Sequence, residues 1–109
     1  MSTAVQHGAK PIVVVANNGQ YGTIRMHQER HYPGRVSGTQ LANPDFAALA
    51  RAYGGYGEVV HETSEFPEAF NRARAADALA VIELRLDPEA LTSGATLSEI
   101  RAQAQATMA

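Results

Sequence analysis

The sequence PIVVVANNGQYG, residues 11–22, decides the fold of this chain. A short run of apolar, mostly β-branched residues ends abruptly at Asn17 and Asn18, and two glycines then lead into a segment that can form a helix. This pattern predicts a buried strand followed by a polar turn. Open α/β sheets bind their ligands at such strand ends, so the turn is a candidate ligand-binding site.

The turn carries groups that suit a cation and an anion together. An asparagine side chain offers a neutral oxygen, and Mg²⁺ takes oxygen ligands both from protein groups and from substrate phosphates. The start of the following helix supplies free backbone N–H groups for an anion. The spacing therefore suits a metal ion with a diphosphate, whereas an ordinary Asn-Gly turn is the alternative that the same residues allow.

The rest of the chain alternates helices with strands. The pattern predicts strands over residues 12–16, 56–61 and 79–86, and helices over residues 21–30, 43–53 and 64–76, with a further helix from about residue 96. Strands that alternate with helices predict βαβ units and a parallel sheet. The expected fold is therefore α/β, a partial three-layer α/β/α arrangement with a short parallel sheet that lacks some of the neighbours needed to cover it.

The helix expected over residues 43–53 has the clearest signals. Asn43 is a good N-cap and Pro44 a good first helical residue. An apolar face is expected along the helix at the spacing i, i+3, i+4 and i+7, formed by Phe46, Leu49, Ala50 and Tyr53.

Composition excludes several classes of function. A net charge of −2 gives no electrostatic reason to expect a nucleic acid or an anionic membrane as partner. The chain contains no cysteine, and it has no apolar run near the roughly 20 residues that span a bilayer. Its first residues lack the features of a signal peptide. We expect one small cytoplasmic domain or a piece of a larger protein.

The other candidate sites are weak. His27 and His31 stand at i and i+4 and could share a zinc ion, but no third ligand is evident, so a solvated helix end is the simpler interpretation. Four carboxylates have no evident partner and are expected to be solvated, namely Glu58, Glu62, Glu65 and Glu68. No residue of the chain is assigned a catalytic role.

Residues 11–24 closely resemble the second half of the thiamine diphosphate signature. That signature is Gly-Asp-Gly, then about 25 residues, then Asn-Asn at the end of an apolar strand. The segments 3–11 and 43–54 are similar to the helices before and after this strand in the acetolactate synthase-like group. The resemblance implies that residues 1–88 form the C-terminal part of a thiamine diphosphate-binding domain, followed by a tail over residues 89–109 with a helix.

The resemblance also implies roles for residues of the turn. Asn18 would give its side-chain oxygen to Mg²⁺, and Gln20 would give its backbone carbonyl to the same ion. Tyr21 and Gly22 would bring backbone groups near the diphosphate.

Only 16 residues precede Asn17, so the Gly-Asp-Gly element of the signature is not in this chain. The separate pyrimidine-binding domain, with the glutamate that helps to activate the cofactor in this family, is absent as well. We therefore expect a fragment of a thiamine diphosphate- and Mg²⁺-dependent lyase or transferase that makes or breaks a carbon–carbon bond of a 2-oxo acid, inactive alone.

The alternative is a non-catalytic α/β association module or a protein resembling a small subunit. On either interpretation we expect self-association, as in the dimers or tetramers of the family, with no nucleic acid and no membrane as partner.

Overall fold

The computed structural model describes residues 1–109 and contains two compact units. The first unit comprises residues 1–17 and 43–85, and the second comprises residues 18–42 and 86–109. None of the helices has the length and apolar character needed to cross a membrane. The division expected after Pro88 stays a prediction.

The elements follow the expected alternation of helices and strands. In chain order they are α1 (Ser2–Gln6), β1 (Ile12–Asn17), α2 (Gly22–His31), α3 (Phe46–Ala52), β2 (Tyr56–Val60), a 3₁₀ turn (Thr63–Glu65), α4 (Phe66–Ala75), β3 (Ala80–Arg85) and α5 (Leu97–Met108).

The first unit is built on a three-stranded parallel sheet with the strand order β1-β3-β2. Ile82 at the centre of β3 stands opposite Val14 on one side and Glu58 on the other. Helices α3 and α4 pack on the strands, and a buried cluster joins α4 to β2 and β3 through Val60, Ala69, Ala73, Ala80 and Ile82. The α/β class and the parallel sheet are confirmed.

Helix α3 begins two residues later than expected. Asp45 is its N-cap, and the Asp45 carboxylate accepts a hydrogen bond from the backbone N–H of Ala48 at 2.8 Å. The prediction that Asn43 caps the helix is wrong, because the Asn43 side-chain amide donates to Asn17 Oδ1 at 2.9 Å instead. A second good capping residue two positions on leaves Asn43 available for the end of β1.

The buried face of α3 also differs from the expectation. Ala47 and Ala50 are buried, whereas Leu49 and Tyr53 are more than a third exposed. The cause is the close approach of α3 to β2 at Gly57. A Cβ atom on Gly57 would lie 2.1 Å from the backbone oxygen of Ala47, so only small residues fit on both sides of this contact.

Glu58 is not simply solvated, so that expectation is wrong. The Arg72 guanidinium on α4 donates to both of its carboxylate oxygens, with Nε at 3.1 Å from Oε2, and the Tyr56 hydroxyl donates to Oε2 as well. Arg72 therefore lowers the pKa of the Glu58 carboxyl. Glu62 and Glu65 form a capping box at the 3₁₀ turn that leads into α4.

The second unit joins α2 to α5. Helix α5 begins where the sequence predicts, with Thr96 as N-cap in a capping box with Glu99. Its residues Leu97 and Ile100 are buried. The loop after α2 returns to the start of that helix, where Gln40 forms an isolated antiparallel bridge with Gln20.

Candidate cation and diphosphate site

The turn that follows β1 is shaped by Gly19. Its φ of +69° lies in the left-handed region, which glycine adopts without steric cost. This conformation turns the chain back so that Asn18 Oδ1 accepts a hydrogen bond from the Gln20 backbone N–H at 3.3 Å. A carbonyl oxygen has two lone pairs, so Asn18 Oδ1 can hold this contact and still bind a cation.

The bridge to the loop after α2 fixes the backbone of the turn. The backbone N–H of Leu41 donates to the Gly19 oxygen at 2.9 Å, and the N–H of Tyr21 donates to the Thr39 oxygen at 2.8 Å. Neither bond uses the carbonyl oxygen of Gln20. The bridge therefore leaves available the backbone oxygen that the family resemblance assigns to the metal.

Gly22 has little free space around its Cα atom, because the side chains of Asn18 and Leu91 lie close to it. A Cβ atom at this position would lie 2.8 Å from Asn18 Nδ2 and 2.6 Å from Leu91 Cδ2. An alanine here would therefore require the ends of both side chains to shift. Gly22 leaves room for the Asn18 amide in the position that it occupies.

Helix α2 begins at Gly22, with Tyr21 as N-cap. Both backbone groups of Tyr21 are engaged, since its N–H donates to Thr39 and its oxygen accepts from the N–H of Arg25 at 3.0 Å. Gly22 and Thr23 open the helix, so their N–H groups have no partner within it and face outward from its positive end. The part assigned to Tyr21 near a diphosphate stays a prediction.

An open cavity of about 400 Å³ adjoins the turn, and Asn18, Gly19, Gln20 and Arg25 line it together with residues of the loop after α2. Arg25 is the residue that the sequence analysis missed. Its Nη1 donates to Gln20 Oε1 at 2.9 Å, so the positively charged guanidinium group of Arg25 lies beside the candidate ligands. The positions of Gln20 and Arg25, five residues apart, carry no recognisable motif that would have predicted this contact.

Asn17 is engaged within the first unit. Its Nδ2 donates to Glu83 Oε1 at 2.6 Å, and its Oδ1 accepts from Asn43. Glu83 is fully buried on the central strand and also pairs with Arg85 at 2.9 Å. The side chain of Asn17 therefore fixes the end of β1, and the metal role of Asn18 stays a prediction.

The histidine pair on α2 offers no comparable site. The rings of His27 and His31 stack with centroids 6.2 Å apart. The chain contains no group of three or more His, Cys, Asp or Glu side chains that could hold a metal ion by themselves. Any cation at the turn after β1 would thus depend on neutral oxygens and on ligands from elsewhere.

The chain matches a known family over most of its length. Residues 1–84 match the family model described as "Thiamine pyrophosphate enzyme, C-terminal TPP binding domain". The chain belongs to this family. The match includes β1, the turn and the whole of α2, and it ends within β3, before α5.

Three relatives show the range of the family. The chain is 34% identical over 67% of its length to the acetolactate synthase large subunit of Haemophilus influenzae, and 32% identical over 80% of its length to the mitochondrial acetolactate synthase catalytic subunit of Aspergillus candidus. It is 29% identical over 84% of its length to the 3D-(3,5/4)-trihydroxycyclohexane-1,2-dione hydrolase of Bacillus subtilis. The matched region spans only 12 to 15% of these proteins.

The residues present fit the family's cofactor. Two neutral oxygens lie in one turn, Gly22 leaves room for the Asn18 amide, and a helix N-terminus follows directly. Neutral oxygens suit Mg²⁺, and a helix N-terminus suits a diphosphate.

Proposed function

We propose that this chain provides half of a Mg²⁺–thiamine diphosphate site in a longer enzyme that acts on 2-oxo acids. Asn18 Oδ1 and the Gln20 carbonyl oxygen bind the cation, and the first N–H groups of α2 bind the diphosphate. The observation that carries the proposal is that Asn18 and Gln20 lie in one turn directly before the N-terminus of α2, within the residues that match the family model.

When bound, thiamine diphosphate supplies the nucleophile and electron sink for making or breaking the carbon–carbon bond next to the 2-oxo acid carbonyl. The residues of this chain bind and orient that group. None of them is assigned a proton transfer, and the chain is proposed to be inactive alone. The names of the synthase relatives support an acetolactate synthase-like reaction, and the hydrolase relative supports only the wider family.

The partner of the chain is proposed to be a second copy or another part of the same enzyme. Strand β1 has a neighbour on one side only, and Val13 and Val14 are 37% and 45% exposed on its two faces. Exposed strand edges and apolar faces favour association. A chain without cysteine is compatible with a reducing compartment, and we propose the cytoplasm.

The experiment that tests the function compares Asn18→Ala with Asn71→Ala in the intact protein in which this sequence occurs. Asn71 is exposed on α4 and serves as the matched control. We expect Asn18→Ala to lose at least about tenfold in Mg²⁺-dependent retention of thiamine diphosphate, because alanine supplies no oxygen. Cofactor and metal content are measured after gel filtration. Equal content in both variants and the parent would refute the metal role of Asn18.

A further inference from the structure

Both polar atoms of the Gln20 side-chain amide form hydrogen bonds, although the metal role assigned to this residue uses only its backbone. Its Oε1 accepts a hydrogen bond from Arg25 Nη1 at 2.9 Å, and its Nε2 donates to the backbone oxygen of Pro88 at 2.7 Å. The residue is 9% exposed. A buried side chain whose terminal amide is fixed by two hydrogen bonds restricts the backbone that carries it.

The contacts continue from Arg25 into the interior of the second unit. Arg25 Nε lies 3.8 Å from Glu29 Oε1, one helical turn further along α2, and this buried nitrogen has no hydrogen-bond partner. The two side chains interact through charge rather than through a hydrogen bond. Glu29 is fully buried, so its attraction for Arg25 is only weakly screened by water.

Glu29 is fixed in turn by α5 and by the loop after α2. Arg101 binds both of its carboxylate oxygens, with Nε at 2.7 Å from Oε2, and the backbone N–H of Gly34 donates to Oε2 at 3.0 Å. These contacts lower the pKa of the Glu29 carboxyl to about 2, with the hydrogen bonds from Arg101 as the largest cause. The carboxylate therefore carries its charge at neutral pH.

If the contacts served only to join α2 to α5, the Glu29–Arg101 pair would be sufficient. Here the pair faces a third charged group, Arg25, whose guanidinium is directed to Gln20 rather than to solvent. Since Arg25 has 22% of its side chain exposed, the charge of Glu29 and the acceptor on Gln20 together define its position.

We propose that Arg101, Glu29 and Arg25 are positioning residues that hold Gln20 so that its backbone carbonyl can bind Mg²⁺. The proposal rests on the proposed function, since that function supplies the role of the Gln20 carbonyl. It also extends the site to α5 and Pro88, which lie beyond the residues that match the family model. The C-terminal segment is then part of the metal site rather than a tail.

The test uses three variants of the intact protein. Arg101→Met removes the fork that fixes Glu29, 81 positions along the chain from Gln20. Gln20→Met keeps the backbone carbonyl and removes both side-chain contacts, and the third variant combines the two changes. Arg74→Met, on the exposed surface of α4, is the matched control for loss of an arginine.

Two quantities are measured in each variant. The first is the Mg²⁺ dissociation constant in the presence of thiamine diphosphate. The second is the hydrogen-exchange rate of the Tyr21 and Leu41 amides, whose bonds to Thr39 and Gly19 hold the turn.

We expect Arg101→Met and Gln20→Met each to weaken Mg²⁺ binding about tenfold and to speed exchange at both amides, as losses of outer contacts at metal sites do. The double variant should be no weaker than Gln20→Met alone, because both changes break the same chain of contacts. Arg74→Met should match the parent in both measurements.

Three results would overturn the proposal: unchanged Mg²⁺ binding in Arg101→Met, effects that multiply in the double variant, or a lower melting temperature without faster exchange at Tyr21 and Leu41. A parent protein that binds no Mg²⁺ would refute the proposed function, and the exchange rates would still decide whether Arg101 fixes the turn. If Arg101→Met does not fold, Arg101→Lys keeps the charge without the fork, and it should show the same changes to a smaller degree.

Discussion

The sharpest prediction for stability concerns the buried carboxylate of Glu29. In Glu29→Gln, the side chain keeps its shape but loses the charge that Arg101 and Arg25 face. The contacts of Glu29 lower its pKa from the usual 4.5 to about 2. Through linkage, that difference corresponds to about 3 kcal/mol of stability at pH 7.

Water screens part of this energy, because 35% of the Arg101 side chain is exposed. We therefore expect Glu29→Gln to lower the free energy of unfolding of the 109-residue chain by about 2 to 3 kcal/mol at pH 7. A carboxyl group with a lowered pKa stabilises the fold above its unfolded pKa and ceases to do so as the pH falls through its folded pKa. The difference between parent and variant should therefore shrink from pH 4.5 downward and vanish near pH 2.

Urea unfolding followed by circular dichroism at pH 7, 5, 4 and 3 measures this difference. Glu68→Gln, at an exposed glutamate of α4, is the control and should change the free energy of unfolding by no more than about 0.5 kcal/mol. The reasoning fails if Glu29→Gln is as stable as the parent at pH 7. It also fails if the difference between them stays constant down to pH 3.

Three further predictions concern cofactor binding, self-association and the packing of α3 on β2. The isolated 109-residue chain should bind thiamine diphosphate weakly or not at all with Mg²⁺ present, because it carries only half of the metal site; saturable binding at micromolar cofactor in a calorimetric titration would contradict this. The chain should self-associate through β1. Val14→Lys should shift sedimentation velocity profiles toward monomer, since a lysine opposes pairing of strand edges. A parent chain that is monomeric at every concentration would refute self-association. Gly57→Ala should destabilise the chain by about 1 to 3 kcal/mol in urea unfolding, because α3 must move away from β2. Gly94→Ala, with open space around it, should stay within about 0.5 kcal/mol of the parent, and equal effects of the two alanines would contradict the close contact.

Local patterns predicted the elements of this fold well. The apolar run that ends at Asn17 predicted β1, and the Thr96 and Glu99 capping box lies where α5 was expected to begin. These signals depend on residues a few positions apart, so they are visible in a single sequence. The start of α3 was misplaced because Asn43, Pro44 and Asp45 are all suited to a helix start, and only the partner of Asn43 on β1 decides among them.

The interior of α3 and the contacts around Gln20 could not be predicted in this way. The burial of Ala47 instead of Leu49 follows from the close approach to Gly57, ten residues further along the chain. The partner of Glu29 is Arg101, 72 positions away, and no local pattern joins them. Asn18 and Gln20 could be predicted because the turn resembles a family signature. The charged residues Arg25, Glu29 and Arg101 belong to no motif, so their contacts could not be predicted.

The proposed function requires a divalent cation at Asn18 and Gln20. A crystal structure of the intact protein with thiamine diphosphate and Mn²⁺ in place of Mg²⁺ would show where the cation binds, since the anomalous signal of Mn²⁺ locates the ion independently of the protein coordinates. We predict one anomalous peak about 2.1 Å from both Asn18 Oδ1 and the Gln20 carbonyl oxygen. A cofactor bound with its cation on other residues, or an anomalous map without a peak at this turn, would contradict the account.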